Sequence, residues 1–511
     1  MNLLHLKSGT DVRGTAINEA APEQIDLTDE VVRRVIAAFV PFLAKKSGKR
    51  AEELKISVGH DSRVSAERIR RAVITELAAQ SVHILDCGLC STPAMFMTTQ
   101  TEGCDGAVQI TASHHPWDRN GLKFFTRTGG ISGAQLTEIL SAAATVELCA
   151  APTEIKAEKL DYLPIYCAHL QNLIKEGVQS TDYDHPLAGM KIVVDAGNGV
   201  GGFYADRVLA PLGADTAGSC CLDPDGRFPN HIPNPENAEA MESVRQATLR
   251  AHADLGVIFD TDVDRGAAVT ANGEALNRNR LVAVAAAIAL EESPGGTIVT
   301  DSVTSAGLTK FINETLGGKH LRFKRGYKNV IDEAERRTKT GENVPLAIET
   351  SGHAAFCENY FLDDGAYLVT RIIIKLCRLK REGKTLGTLL AALEEPAEEA
   401  EVRLPITEAD FRACGERVLA LAEERARASA GVTVADDSYE GVKVIFPEDA
   451  GDGFFILRLS VHDPLLPVNL ESAKAGGVRR IAQALLHLLS GAEGIDLLPL
   501  QQFCGEIGKG Y

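Results

Sequence analysis

Ile56-Ser-Val-Gly-His-Asp61, Ile192-Val-Val-Asp195 and Ile298-Val-Thr-Asp301 share one pattern, a short β-branched run that ends on aspartate. Each continues into a small, polar turn and then an alanine-rich helical pattern. Strand, turn, helix and strand in that order read as a βαβ unit, and three such units predict an α/β protein with parallel or mixed sheets. Each stretch also carries a second apolar strand with an unusual polar loop at its C-terminal end. Gly106-Ala-Val-Gln-Ile110 runs into Thr111-Ala-Ser-His-His-Pro116, and Leu255-Gly-Val-Ile-Phe259 into Asp260-Thr-Asp-Val-Asp-Arg265. Val344-Pro-Leu-Ala-Ile348 runs into Glu349-Thr-Ser-Gly-His353. Ligands of α/β sheets bind beyond the carboxyl ends of strands. Three equivalent strand ends with three different chemistries therefore predict three related mixed-sheet α/β domains around a central cleft.

From about Pro396 the pattern changes. Glu401-Val-Arg-Leu404, Gly441-Val-Lys-Val-Ile-Phe446 and Phe454-Phe-Ile-Leu-Arg-Leu-Ser460 read as antiparallel strands, with helical patterns over 408–429 and 472–490. Strands with segregated helices predict a C-terminal α+β domain. The acidic stretch Leu393-Glu-Glu-Pro-Ala-Glu-Glu399 reads as the linker. The expected domains are 1–160 with the Ser113 loop, 161–277 with the Asp260 loop, 278–395 with the Glu349 loop, and 396–511 with the Arg458 loop. A chain of 511 residues suits several domains at about 100–200 residues each.

Bulk charge excludes some classes of function. The net charge is −17, and such a surface repels nucleic acid and anionic membrane, so neither is expected as a partner. A small anionic substrate then requires cations gathered at one place, and Arg13, Lys123, Arg265, Arg325, Lys328 and Arg458 all fall in or beside the polar loops. The 11 cysteines are scattered, which suits a reducing compartment better than a disulfide framework. The Cys87-x-x-Cys90 pair has no second pair and reads as core. The N-terminus lacks the apolar stretch of a signal peptide. The longest apolar run, residues 281–290, falls short of the roughly 20 residues of a membrane span. A cytoplasmic location follows as the expectation.

The loops carry the chemistry. Asp260, Asp262 and Asp264 alternate on a turn after an apolar strand, the oxygen-rich set that Mg²⁺ favours while keeping positions open for phosphate oxygens. Arg265 stands where a calcium loop of the EF-hand type needs glycine. Ser113 lies outside any G-x-S-x-G elbow, so a hydroxyl facing a metal loop fits phosphoryl transfer better than hydrolysis. His114 and His115 flank it, and Asn120, Gly121 and Lys123 follow. Glu349, Ser351 and His353 offer a carboxylate, a hydroxyl and an imidazole suited to sugar hydroxyls. Arg458, Ser460, His462 and Asp463 on one loop, and Arg325 with Lys328 on another, are suited to phosphate.

In order and content these loops resemble those of the α-D-phosphohexomutases of the phosphoglucomutase/phosphomannomutase type. That family reads T-A-S-H-N-P, D-G-D-x-D-R, G-E-x-S-G-H and R-P-S-x-T-E-P in sequence, with D-x-R-G near the N-terminus and N-G-x-K after the serine loop. The resemblance covers essentially the whole chain. It implies a four-domain phosphohexomutase, an isomerase that interconverts hexose 1-phosphate and hexose 6-phosphate of glucose or mannose. The route it implies is a phosphoserine at Ser113 and a hexose 1,6-bisphosphate intermediate. It further implies Mg²⁺ held by Asp260, Asp262, Asp264 and the Ser113 oxygen, and proton traffic and charge stabilisation among Lys123, His114, His353 and Arg13. Glu349 and Ser351 would grip the sugar. Arg458, Ser460 and His462, with Arg265, Arg325 and Lys328, would bind phosphate. Departures are His115 for Asn, Thr261 and Ile348 for Gly, Leu459 for Pro, His462 for Thr and Asp463 for Glu. Two alternatives stand beside this reading: a glucosamine-phosphate mutase, disfavoured by Thr350 where such enzymes usually carry Gln, and a catalytically silent binding protein, which would have no need of Ser113 and three acids together.

Overall fold

The structure, a computed structural model, describes residues 2–436, 438–460 and 463–506. The first β-branched run forms strand Lys55–His60 and lies parallel to both His83–Leu89 and Gly106–Ile110. Arg119–Thr126 then pairs antiparallel with Gly106–Ile110, and Asp11–Thr15 antiparallel with Arg119–Thr126. The sheet is mixed, and alternation along Lys55–His60 decides what covers each side. Ile56 and Val58 join the core formed with helices Asp29–Ser47, Ala66–Ala79 and Gly133–Ala143. Ser57 and Gly59 face helix Thr92–Thr101, where Ser57 Oγ meets Thr98 Oγ1 at 2.6 Å. A β-carbon on Gly59 would come within 2.5 Å of Met95 Sδ, so this close helix approach requires glycine.

Residues Met1–Glu292 and Pro345–Leu390 form one compact unit, and Ser293–Val344 and Ala391–Tyr511 the other. In the first unit a second sheet pairs Ile192–Asp195 parallel to Leu255–Phe259, which pairs antiparallel with Gly266–Thr270. Phe259 lies opposite Gly266, so the acidic stretch 260–265 is the loop of a hairpin. A third set in the same unit pairs Leu346–Ile348, Ala354–Phe356 and Leu362–Asp363 antiparallel, with Ile348 opposite Ala354. Residues 349–353 are therefore also a hairpin loop. The apolar run 281–290 lies within helix Arg278–Glu292. It is buried against protein, including helix Gly365–Arg381, to which it is tied by Glu291–Lys375 and Glu292–Arg371 ion pairs. Among the described residues no helix is long and apolar enough to cross a membrane.

In the second unit Thr297–Thr300 pairs parallel with Lys319–Arg322. An antiparallel sheet runs Glu398–Pro405, Leu465–Ser472, Gly453–Leu457, Val442–Phe446 and Thr433–Val434. Helices Phe411–Ala428 and Gly477–Leu488 bury Val418, Ala422, Ile481 and Leu485 in the core of that sheet, the α+β arrangement read from the pattern. The fold is thus α/β with mixed sheets and a C-terminal α+β part. The segment expected as a third domain, 278–395, contributes to both units.

One close approach ties strand ends together. A β-carbon on Gly199 would lie 2.5 Å from the Thr261 carbonyl oxygen, and Val200 N donates to that same oxygen at 2.8 Å. Gly199→Ala has only backbone to push against. We expect it to lose about 1–3 kcal/mol of stability, read as a lower melting temperature. Divalent-cation affinity should weaken as well, although no acidic side chain is altered.

Candidate active site

Ser113 sits on a loop that its own backbone disfavours. Its φ is +49°, a left-handed conformation uncommon outside glycine. Side chains around it hold that shape. Thr111 Oγ1 accepts the Ser113 N–H at 2.9 Å and donates to Asp61 at 2.7 Å. Arg63, buried, donates to four carbonyls of the loop: Ser113 at 2.5 Å, His115 at 2.6 Å, Pro116 at 2.7 Å and Arg119 at 2.8 Å. Asp61 pairs with the Arg63 Nε at 3.3 Å, and the Phe228 ring lies 5.2 Å from its guanidinium. Strained backbone of this kind persists where the surroundings over-determine it.

Asp260, Asp262 and Asp264 are buried, with carboxylate oxygens within 4.8 Å of one another. Val263, between two of them, has φ +69°, an outlier for a β-branched residue. Ser113 Oγ donates to Asp260 Oδ2 at 2.8 Å. Lys123 Nζ reaches Asp262 at 2.8 Å and also pairs with Asp264. Thr92 binds Asp262 twice, Oγ1 to carboxylate at 2.5 Å and N–H to carbonyl at 2.9 Å. Asp262 Oδ1 and Asp264 Oδ1 have no hydrogen-bond partner among the described residues. Burial, with Asp264 and Asp262 adding repulsion, pushes Asp260 well above the usual carboxylate range. Burial also pushes Asp264 up, but Lys123 and His353 outweigh it and hold that group well below its usual value. Three carboxylates against the cations Lys123 and Arg265, with two carboxylate oxygens unused, fit a hard divalent cation.

The acidic loop and the Glu349 loop are joined. Arg265 and His353 form an antiparallel backbone bridge, and Gly266 N donates to Gly352 O at 3.2 Å. The Arg265 guanidinium then spans three neighbours: Nε to His353 Nε2 at 2.9 Å, Nη2 to His114 Nδ1 at 2.9 Å, and Nη1 to Glu236 at 3.5 Å. His353 Nδ1 meets Asp363 at 2.7 Å, so the geometry gives a proton on Nδ1 and a lone pair on Nε2. Burial lowers the His353 pKa, yet Asp363 and Asp264 carry it above its usual value. His114 Nδ1 lies 3.3 Å from Ser113 Oγ and accepts from Arg265, so the ring is neutral there. Burial, then Arg265, pushes its pKa far down, and burial takes His115 to about 3. Ser351 Oγ donates to Glu349 at 3.4 Å. Arg13 lies opposite Gly121 in the neighbouring strand and pairs with Asp11 at 2.7 Å.

The structure thus brings Ser113, His114, Lys123, Asp260, Asp262, Asp264, Arg265 and His353 into one bonded cluster, with Arg13, Glu349 and Ser351 in the same unit. The second unit has its own group. Glu440 accepts the Arg325 N–H at 2.5 Å and the Ser302 hydroxyl at 3.1 Å, and lies 3.7 Å from Arg458 Nε. Burial and the like charge of Arg325 lower the Arg458 pKa. Lys328 turns instead to Asp332 along its own helix. Ser460 Oγ accepts the Asp463 N–H at 3.2 Å. His462 lies outside the described residues.

Sequence reading missed Asp61, Arg63, Thr92 and Asp363 as members of the site. Asp61-Ser-Arg63 closes the first β-branched run, so the strand-end rule applied to all three runs would have found it. Thr92 carries no local signal, because it meets Asp262 across 170 residues of chain. Arg63→Lys should keep the charge yet lose most of the four-carbonyl staple, since one ammonium cannot reproduce a planar fork. We expect kcat to fall at least about tenfold, the loss of roughly one charge-assisted hydrogen bond, with KM changing less. His114 and His115 refuse protons that the unfolded chain accepts near pH 6.5. Stability should therefore fall as pH drops below about 6.5, and His114→Gln with His115→Gln should flatten that acid limb in melting curves.

Comparison with known proteins fits this geometry. Profiles described as phosphoglucomutase/phosphomannomutase alpha/beta/alpha domains I, II and III match residues 6–148, 165–273 and 277–396 in order. A phosphoglucomutase of Neisseria meningitidis is 29% identical over 456 residues, covering 89% of this chain and 92% of that protein. A phosphoglucosamine mutase of Corynebacterium jeikeium is 29% identical over 494 residues, covering 94% of this chain and 98% of that protein. A phosphoglucomutase/phosphomannomutase family protein of Burkholderia thailandensis has a solved structure with TM-score 0.78 and 26% identity, covering 96% of this chain and 98% of that one. The ordered profiles span well over half the chain, and the bonded cluster supplies a serine, a metal-competent acidic loop and their cations, so this protein belongs to the α-D-phosphohexomutase family and is a hexose-phosphate mutase.

Proposed function

We propose that this enzyme interconverts the 1- and 6-phosphates of glucose and mannose through a phosphoserine at Ser113 and a hexose 1,6-bisphosphate, with Mg²⁺ as its cation. The observation that carries the proposal is the 2.8 Å hydrogen bond from the Ser113 hydroxyl to Asp260, on a strained loop stapled by Arg63. A nucleophile held against a buried acidic triad is the arrangement that phosphoryl transfer needs, because catalysis there is positioning plus charge stabilisation. Asp260, Asp262, Asp264 and the Ser113 oxygen would hold Mg²⁺, which when bound neutralises charge on the transferring phosphoryl oxygens.

The chain's own groups then divide the work. In the first half, the phosphorus–Oγ bond of Ser113 breaks as a bond forms to the free hydroxyl of a hexose monophosphate, and the proton lost by that hydroxyl ends on Oγ. In the second, the sugar oxygen–phosphorus bond of the other phosphate breaks as that phosphorus bonds to Oγ, and the serine proton ends on the sugar oxygen released; the Ser113 hydroxyl is positioned for this by its hydrogen bond to Asp260. Lys123 keeps its proton, since Asp262 and Asp264 raise its pKa well above the ordinary value despite burial. It is assigned to proton traffic and charge stabilisation beside the serine. His114 stays neutral and orients Arg265 beside the serine. Glu349 and Ser351, with His353, are assigned to the sugar hydroxyls. Arg13, Arg265, Arg325, Lys328, Arg458 and Ser460 are assigned to phosphate oxygens, with His462 of the same loop.

The sugar rests on finer ground. Identity to the phosphoglucosamine mutase and to the phosphoglucomutase is 29% in both cases, so overall likeness does not separate the sugars. Thr350 in the Glu349 loop favours the hydroxyl-bearing hexoses. A coupled assay with glucose 1-phosphate, mannose 1-phosphate and glucosamine 1-phosphate, each with a trace of its bisphosphate, decides it. We expect turnover of the first two, loss of activity in EDTA and recovery with Mg²⁺. Faster turnover of glucosamine 1-phosphate would reassign the substrate, and no turnover of any would mean a binding protein. Ser113→Ala should lose at least about a thousandfold in kcat, the scale of a lost nucleophile. Mass spectrometry of the wild type should find phosphate on Ser113, and phosphate only elsewhere would overturn that assignment. Arg458→Ala should raise the dependence on added glucose 1,6-bisphosphate, because a clamp on the spectator phosphate has gone. Wild-type behaviour at every concentration would remove Arg458 from that role.

A further inference from the structure

The strand Ile192–Asp195 ends on a second polar cluster that the mutase chemistry does not use. Asp195 is fully buried. Its carboxylate accepts the Gly197 N–H at 3.0 Å, the Ser243 hydroxyl at 2.6 Å and His231 Nε2 at 3.0 Å. A parallel backbone bridge between Asp195 and Cys220 lays residues 219–221 beside the strand end. Cys220 N donates to Val194 O at 2.9 Å, and Asn198 N to Cys221 O at 2.8 Å. Neighbouring side chains of an extended chain point to opposite sides. Cys221, with φ +53°, breaks that alternation. The Sγ atoms of Cys220 and Cys221 and a carboxylate oxygen of Asp195 lie within 4.8 Å of one another. Both thiols are free, and both are partly exposed where Asp195 is not.

We propose that Cys220, Cys221 and Asp195 form a binding site for a thiophilic divalent cation of the zinc class, with His231 orienting the carboxylate. Zinc takes sulfur and oxygen ligands in tetrahedral sets, and three protein ligands leave one position for solvent. A ligating carboxylate is itself oriented by hydrogen bonds, here from Gly197, Ser243 and His231. Binding replaces the thiol protons: one cation enters, two S–H bonds become two sulfur–metal bonds, and up to two protons leave. The Asp260 triad offers oxygen only and suits hard cations, so the chain separates a hard site from a soft one. The same segment continues through Asp225, whose N–H donates to Asn198 O at 2.9 Å, to Phe228 over Arg63. A cation here would anchor the segment that rests on the staple of the Ser113 loop.

The test uses the reduced full-length enzyme in excess Mg²⁺, titrated with Co²⁺. We expect a thiolate-to-cobalt charge-transfer band in the near ultraviolet that saturates at one equivalent and is displaced by Zn²⁺. Cys220→Ser and Cys221→Ser should each abolish it. His231→Gln should weaken Co²⁺ binding about 10–100-fold. As a check that needs no variant, Zn²⁺ should slow alkylation of Cys220 and Cys221 in the wild type at least about tenfold, by mass spectrometry of the peptide, since a bound thiolate is no longer a free nucleophile. Absence of the band in the reduced wild type, its persistence in both serine variants, or unchanged alkylation rates with Zn²⁺ would each overturn the site. None of these readouts depends on mutase activity or on the sugar it takes.

Discussion

Three carboxylates confined within 4.8 Å, away from solvent, repel one another strongly because the interior screens charge poorly. Everything around the Asp260 loop answers that repulsion. Lys123 arrives from the first sheet and bridges Asp262 and Asp264, Arg265 closes the hairpin, Thr92 adds a hydrogen bond to Asp262, and the Ser113 hydroxyl donates to Asp260. Even so, Asp260 is pushed well above the usual carboxylate range, and two oxygens stay unused among the described residues. The cluster is electrostatically incomplete as protein alone, and that incompleteness makes it able to hold a cation, with a serine at its edge.

The second constraint is backbone shape. Ser113 and Val263 both sit at positive φ, one in each of the two facing loops. Neither conformation is the cheap choice for its residue type. The strain aims the hydroxyl at Asp260 and turns the acids to one side. Arg63 and Gly199 hold the two loops from behind. Arg63 satisfies four carbonyls, while Gly199 permits the close approach of chain to Thr261. A residue that never touches substrate can therefore govern the site by governing loop shape.

Histidine roles illustrate how context selects among chemically equal groups. His114 and His353 both touch Arg265, yet their surroundings differ. His353 has Asp363 behind it, which fixes the proton on Nδ1 and turns Nε2 toward Arg265. Among the described residues His114 has no carboxylate behind it and faces the Arg265 guanidinium, and burial with that charge keeps it a neutral acceptor. Residue type alone made them equal candidates, and the neighbours separate them.

The sequence by itself determined the elements and which polar groups each loop offers. Short β-branched runs, alanine-rich helices and the turn residues between them are local, so strands such as 192–195 and the α+β C-terminal part were legible without coordinates. Asp260, Asp262 and Asp264 could be read as one cation set because they share one turn. What tertiary structure decided is everything that joins distant stretches. Ser113 meets Asp260 across 147 residues, Lys123 meets Asp264 across 141, and Arg265 meets His353 across 88. The soft cluster at Asp195 was invisible for the same reason, since Cys220 and Cys221 reach it only through a parallel bridge and one left-handed residue. Local periodicity fixes which way a side chain points along its own element. Only packing fixes what it points at, because the free energy of a contact depends on the burial and charge of partners that the neighbouring residues do not encode.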